Sequence, residues 1–354
     1  MKKIITLVLS AMMMVGCATT FMGCGSSNSG SDSNSKKDDL KKITFVWYPN
    51  ESGGEYEEAR NDVISLIKEA TGLEVESKLT TDYSVAIESL ANGTAQMGFL
   101  GAQGYVEANT KNKAVQPLFV SSGESGTLDD ALYYSWLAVR TEDADEYKDG
   151  DSYSIDNIQG KKMSFVSTSS TSGFKVPTSN IVNHFSTQDK WKNLTAEDLL
   201  EGGSDKFFSE VAYGNSHQGS AVNLLSGKSD VAAFCDTELM PYSEVADGEL
   251  NDIGTTYKIK DGAADPFTDM AGKEYTTIAV SPVLNSPFVC NTDELSQDVI
   301  DKVVKYFTSD EVSNNEKIFV PKDSDGMGFF TKKGDEKFIA VKDDWFEPIR
   351  KLSK

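Results

Sequence analysis

The sequence predicts an α/β protein of two lobes with a ligand cleft between them. Strand-period and helix-period apolar patterns alternate along the chain, and part of that pattern recurs in a second copy. Hydroxyl-rich and acidic stretches follow the carboxyl ends of several predicted strands, where open α/β sheets bind ligands.

From the N-terminus, Lys2 and Lys3 precede an apolar run from Ile4 to Val15, which leads through small residues to Cys24. That is the layout of a signal peptide over residues 1–23, ending in a lipobox-like Phe21-Met22-Gly23-Cys24. Met14-Val15-Gly16-Cys17 competes as the cleavage site, because Phe21 departs from the usual Leu. Ser and Gly dominate from Gly25 to Ser35 and charge follows to Lys42, so residues 24–41 read as a flexible tether beyond a lipidated Cys24. The expected location is extracytoplasmic, with the membrane reached through the lipid. No later segment is apolar enough to span a bilayer.

Ile43–Trp47 then reads as a strand. Ala59, Val63, Leu66, Ile67 and Ala70 share one face of a helix from Glu55 to Ala70, with Gly72 placed as its C-terminal cap. Leu73–Leu79 alternates as a second strand. Asp82 caps a helix whose inner face is Tyr83, Ile87, Leu90 and Ala91, stopped at Gly93, and Gln96–Leu100 is a third strand. The run Leu90–Met97 lines up with Leu224–Val231: helix end, glycine stop, polar step, buried strand. The repeat fits either chance similarity of two helix–Gly–strand units or two related lobes.

Met163–Val166 is a further buried strand, and VSTSSTSGF, Val166–Phe174, leads from it into a helical segment. At a helix N-terminus the unpaired N–H groups and the positive end of the macrodipole face outward together. Ser and Thr hydroxyls add rotatable donors, and Gly173 permits close backbone approach, so the stretch suits a small multi-oxygen anion. The plainer alternative is a heavily hydroxylated N-cap.

With 39% hydrophobic residues in 354, roughly 315 residues after the tether are enough for two compact lobes. The formal net charge is −21, or −23 without Lys2 and Lys3, and no basic patch carries interleaved aromatics. Nucleic acid is therefore excluded as a partner. An anion is not, because such a site is set by local dipoles and donors rather than by overall charge. Beyond the signal region Cys235 and Cys290 remain, either as a disulfide or as two buried thiols.

Four segments together carry a family resemblance: Thr81-Asp82-Tyr83; Ser170-Thr171-Ser172-Gly173-Phe174 with Val176-Pro177; His217 with Ala221-Val222 and Gly227-x-x-Asp230-Val231-Ala232; and Ser281-Pro282 with Pro287 beyond. In order and spacing, over about residues 40–310, they resemble the phosphate/phosphite/phosphonate-type periplasmic substrate-binding proteins of ABC importers. The resemblance implies a two-lobed type II periplasmic-binding-protein fold that closes over its ligand. Residues 42–136 and 283–354 would form lobe I, and 137–282 lobe II. It implies no cofactor, a monomer, and an ABC permease as partner. Carried over, Ser170, Thr171 and Ser172 would hold the oxyanion, Tyr83 would donate its phenol from the opposite lobe, and His217 would donate or pair with the anion as a cation. Glu238 falls near the family's acidic position, one residue out of register, with Asp236 as competitor. His184 is left to a structural role.

Two departures bear on the ligand. Leu100 stands where relatives often have Tyr, and Ser286 stands where aminoalkylphosphonate binders have the Asp that pairs with the ligand ammonium. An ammonium buried without that carboxylate is costly, so phosphate, phosphite or a small alkylphosphonate is expected. The acidic, glycine-rich segment Gly123–Tyr134 is a candidate rim loop. Other readings are an enzyme, a receptor of this fold for a sulfonate, thiamine-like compound or organic acid, and a ligand-sensing surface protein. Enzymatic function is not expected: the chain has no Gly-x-Ser-x-Gly elbow, no His-x-x-x-His and no paired-Cys spacing.

Overall fold

The computed structural model describes residues 37, 40–322, 324 and 328–352. The signal peptide, both candidate lipid-bearing cysteines and the Ser/Gly-rich part of the tether, residues 25–35, lie outside the described residues. Two mixed sheets make two lobes. The first has six strands, in the order Phe338–Ala340, Val115–Ser121, Pro287–Asn291, Met97–Phe99, Lys42–Trp47, Glu74–Leu79. The second has seven: Ser243–Asp247, Thr256–Ile259, Glu274–Leu284, Leu132–Arg140, Val231–Cys235, Lys162–Phe165, Glu210–Tyr213. The chain passes from the first sheet to the second between Ser121 and Leu132 and returns between Leu284 and Pro287. Leu132–Arg140 runs as one strand of the second sheet across the lobe boundary expected at 136–137.

Strand Lys42–Trp47 pairs in parallel with both Glu74–Leu79 and Met97–Phe99, as strand–helix–strand crossovers require. Its residues alternate between two cores. Ile43, Phe45 and Trp47 pack with Val63, Ile67 and Phe288, while Val46 and Tyr48 pack with Ile87, Leu90 and Tyr105 on the other face. Helices Glu57–Thr71 and Tyr83–Ala91 lie where the periodicity predicts, the first ended by Gly72 at φ 72° and the second begun by Asp82, whose carboxylate accepts from Ser84 N at 2.7 Å. The preceding segment winds instead into short 3₁₀ turns, Pro49–Ser52 and Gly54–Tyr56.

The repeat is structural. Gly93 and Gly227 both adopt left-handed φ, 79° and 76°, at equivalent helix ends. Three residues on, Gln96 Oε1 accepts from Thr44 N at 2.8 Å and Asp230 Oδ2 accepts from Lys162 N at 2.9 Å, each clamping the neighbouring parallel strand. Cys235 and Cys290 are both buried free thiols, one in each sheet, so the disulfide alternative is not realised. Among the described residues no helix is long and apolar enough to cross a membrane.

Candidate functional site

A cavity of about 610 Å³ lies between the lobes, at the carboxyl ends of strands from both sheets. Tyr83, Ser170, Thr171, Ser172, His217 and Glu238 all line it, so the structure brings every sequence-nominated ligand residue together.

The hydroxyl-rich stretch leaves strand Lys162–Phe165 and forms one π-turn, Thr171–Lys175, before helix Val176–Phe185. Ser170 is its cap, with Oγ accepting from Gly173 N at 3.0 Å. A Cβ on Gly173 would lie 2.2 Å from Val166 Cγ2, which explains the glycine: the turn is pressed onto the end of the strand. Thr171 Oγ1 accepts from the backbone N of Gln103, in the other lobe, at 2.9 Å. Ser172 O accepts from Ser135 Oγ at 2.6 Å, while Ser172 Oγ is buried and makes no full hydrogen bond beside the Tyr133 phenol. Ser170 and Thr171 thus spend lone pairs on backbone donors and keep their protons, and Ser172 keeps both capacities.

His217 opens helix His217–Leu225, which is capped by Ser216 Oγ accepting from Gly219 N at 2.9 Å. The ring is 4% exposed and Nδ1 has no partner. Burial pushes its pKa down to about 3, so the imidazole is neutral in this structure and the expected cationic pairing gives way to a neutral hydrogen bond. Two helix starts therefore meet at the cavity, one beginning at the π-turn and one at His217.

Tyr83 Oη accepts from Asn50 Nδ2 at 2.7 Å, and its ring stacks on Tyr48 with centroids 3.9 Å apart. Tyr48 Oη is itself buried without a partner, over Gly104, where any Cβ would collide with it. Tyr48 thereby supplies a second phenol to the first-lobe wall of the cavity.

Asp236 is not free to serve a ligand. Its Oδ1 accepts from Tyr134 N at 2.9 Å and Thr237 N at 2.8 Å, and its Oδ2 from Asn251 Nδ2 at 3.1 Å. Glu238 has one partner, Gln218 Nε2 at 3.1 Å, and burial pushes its pKa up to about 7. Of the two competing carboxylates, Glu238 is the one with capacity to spare. His184 lies elsewhere, its Nε2 2.6 Å from Asp156 on the second lobe's surface. Gly123–Tyr134 lines the cavity at Gly123, Glu124, Asp130, Leu132, Tyr133 and Tyr134, and Asp130 ties it by accepting from Ser125 N at 2.9 Å.

Sequence reasoning missed Tyr48, Asn50, Glu51, Tyr133 and Gln218. The signal was present for three of them: Tyr48-Pro49-Asn50-Glu51 immediately follows the first strand, at the sheet end where ligands bind. Asn50 joins the lobes, since Oδ1 accepts from His217 N and its carbonyl accepts from Gln218 Nε2, each at 3.3 Å. Ser169 Oγ donates to Glu107 Oε2 at 2.7 Å, so the lobes meet on both sides of the cavity.

Residues 45–346 match the family described as ABC transporter, phosphonate, periplasmic substrate-binding protein. The chain is similar to the phosphate-import protein PhnD of Mycolicibacterium smegmatis, 23% identical over 271 residues, covering 76% of this chain and 71% of that one. It shares its fold with a binding protein component of an ABC phosphonate transporter from Pseudomonas aeruginosa: TM-score 0.62, 19% identity, 89% of this chain and 86% of that one. The same holds for PhnD1 of Prochlorococcus marinus in complex with methylphosphonate, at TM-score 0.60 and 13% identity over 88% of this chain and 97% of that one.

Proposed function

This chain belongs to the periplasmic substrate-binding proteins of phosphonate ABC transporters, and on that premise we propose that its cleft captures a small phosphorus oxyanion for delivery to an ABC permease. One observation supports the ligand class above the others. The Ser170–Ser172 turn and the start of the His217 helix face one cavity with buried O–H and N–H groups, among them a Ser172 Oγ and a His217 Nδ1 that have no partner. Buried polar groups left unmade cost about 1–3 kcal/mol each, and an oxyanion with several acceptor oxygens satisfies them together. The neutral His217 ring, the Ser170, Thr171 and Ser172 hydroxyls and the Tyr83 phenol donate to the oxygens, and closure of the lobes excludes water.

Phosphate, phosphite and methylphosphonate are the preferred ligands, and Ser286 counts against aminoalkylphosphonates. A phosphonate with a larger substituent is a second reading, favoured by a 610 Å³ cavity whose wall includes Tyr56 and Phe329 stacked 5.3 Å apart. The protein acts as a monomer, anchored by lipid on Cys24, with residues 24–41 as tether. A Cys24→Ser chain released from membranes, beside a retained Cys17→Ser chain, would support that anchor; the reverse would move it to Cys17.

The test of the ligand is titration calorimetry on protein unfolded and refolded to strip carried ligand. The panel is phosphate, phosphite, methylphosphonate, phenylphosphonate, 2-aminoethylphosphonate and sulfate. Micromolar or tighter binding of one phosphorus anion, abolished in Ser170→Ala/Thr171→Ala, is expected. Silence across the panel, or tightest binding of 2-aminoethylphosphonate, would overturn the reading.

A further inference from the structure

A cleft built to receive an anion holds two carboxyl groups that no ion pair among the described residues engages. Glu51 comes from the 3₁₀ turn Pro49–Ser52 of the first lobe and Glu238 from the short helix Asp236–Leu239 of the second, and both line the cavity. Glu51 is 3% exposed, and its Oε2 has no partner. Among the described residues every ion pair involves other carboxylates.

The groups around Glu51 do not neutralise it. On its own turn and on helix Tyr83–Ala91 the neighbours are the phenols of Tyr48 and Tyr83. From helix Glu57–Thr71 comes Arg60, whose charge favours the ionised form but is outweighed by burial and Glu238, and whose Nη1 points at the backbone carbonyls of Glu51 and, at 3.1 Å, Gly53 rather than at the carboxylate. The turn Gly54–Tyr56 adds Glu55, whose carboxylate accepts from Tyr242, and the Tyr56 phenol. The second lobe presents Glu238, Asp236 and the neutral His217, while Lys322 and Lys333 of the first lobe also line the cavity, Lys333 acting on Asp236. Gln218 Nε2 bridges the two sides, donating to Asn50 O and to Glu238 Oε2.

Two desolvated carboxylates that approach as the lobes close repel each other, and the incoming oxyanion adds a third negative charge. With no cation in an ion pair to either carboxylate, a proton is the closest means of compensation. We propose that Glu51 and Glu238, one from each lobe, retain a single shared proton when the lobes close, so that anion capture takes up one proton from solution. This rests on the reading of the cleft as an oxyanion receptor. In the open form both groups face water and ionise at ordinary carboxylate values; on closure the pair takes one proton and a carboxyl O–H faces the ligand. Burial and the opposing Glu238 hold Glu51 well above the carboxylate range, and Glu238 lies at about 7, consistent with that exchange near neutral pH.

The test is calorimetric titration with methylphosphonate at about pH 6, between the open-form and closed-form values, in two buffers of different ionisation enthalpy, on wild type and Glu51→Gln. The difference in proton number between the proteins cancels the ligand's own titration. An uptake about one proton larger in wild type, with affinity falling roughly tenfold more steeply per pH unit between about pH 5 and 7 than in the variant, is expected. Equal proton numbers overturn the proposal. If wild type gives no binding heat, the receptor reading itself fails, and the pair is judged by thermal unfolding of protein held closed by an engineered disulfide between the lobes. A raised folded-state pKa stabilises at low pH and loses that contribution as pH rises through it, so the closed protein should lose stability relative to its Glu51→Gln form between about pH 5 and 8. Parallel profiles would overturn the shared proton in that case.

Discussion

The backbone N–H of Gln103 donates across the cleft to Thr171 Oγ1 at 2.9 Å, joining a first-lobe helix start to the second-lobe anion turn. The Thr171 hydroxyl therefore has two tasks, accepting from the other lobe while its proton stays free for a ligand.

Thr171→Val keeps the shape and removes the acceptor. The Gln103 N–H, buried in the closed form, is left unmade at a cost of about 1–3 kcal/mol, roughly 5- to 150-fold against closure. Methylphosphonate affinity is expected to fall by at least that factor, and small-angle scattering should show a larger ligand-free radius of gyration. Thr171→Ser restores the acceptor and should recover most of both. A Val variant with native radius and affinity would show that the inter-lobe bond is incidental.

Gly173→Ala tests the seat of the turn. Its Cβ would fall 2.2 Å from Val166 Cγ2 and 2.8 Å from Ser170 Oγ, so the turn must move off the strand or Val166 must yield. Overpacking of this kind costs about 1–3 kcal/mol. A lowered thermal midpoint and lost ligand binding are expected, with Val166→Ala recovering part of the stability by making room. Unchanged unfolding in Gly173→Ala would mean the turn is less tightly seated than the contacts indicate.

Much of this site was legible because its chemistry is local in sequence. The cap, glycine and hydroxyls of the anion turn lie within Val166–Phe174, and His217 opens a helix announced by Ser216. The matching Gly93 and Gly227 helix stops were legible as a repeat for the same reason. Glu51 was not, since its partner carboxylate stands on a second-lobe helix 185 residues away, beginning at Asp236. Choosing Glu238 over Asp236 likewise depended on Tyr134 N and Asn251 Nδ2, partners from separate strand and loop segments that occupy Asp236 and leave Glu238 available.

Asn50 couples three cleft residues: its amide donates to Tyr83 Oη, its Oδ1 accepts from His217 N and its carbonyl from Gln218 Nε2. Asn50→Ala removes the first two bonds and leaves the backbone contact. Ligand affinity is expected to drop about 10- to 100-fold, since the closed form loses two hydrogen bonds near the anion. Far-ultraviolet circular dichroism should be unchanged, because the residue lies in a turn outside both sheets. Calorimetry with the best ligand of the panel checks the first outcome, and wild-type affinity in Asn50→Ala would remove Asn50 from the closure mechanism.

Acid sensitivity of the ligand-free protein should trace to His217. Its imidazole is held neutral, with a folded-state value of about 3 against about 6.5 when unfolded, because burial penalises the cation. Between those values the unfolded chain binds a proton that the folded chain refuses, so stability falls as pH falls, by up to about 1.4 kcal/mol per pH unit well below 6.5. Urea midpoints at pH 7 and pH 5 should thus separate more for wild type than for His217→Asn, which cannot titrate. The Glu51–Glu238 pair acts in the opposite direction over part of this range, but it is present in both proteins and cancels in the comparison. If wild type and His217→Asn lose stability in parallel, the imidazole reaches a proton source or solvent in the folded state, and the neutral-donor role proposed for it does not hold.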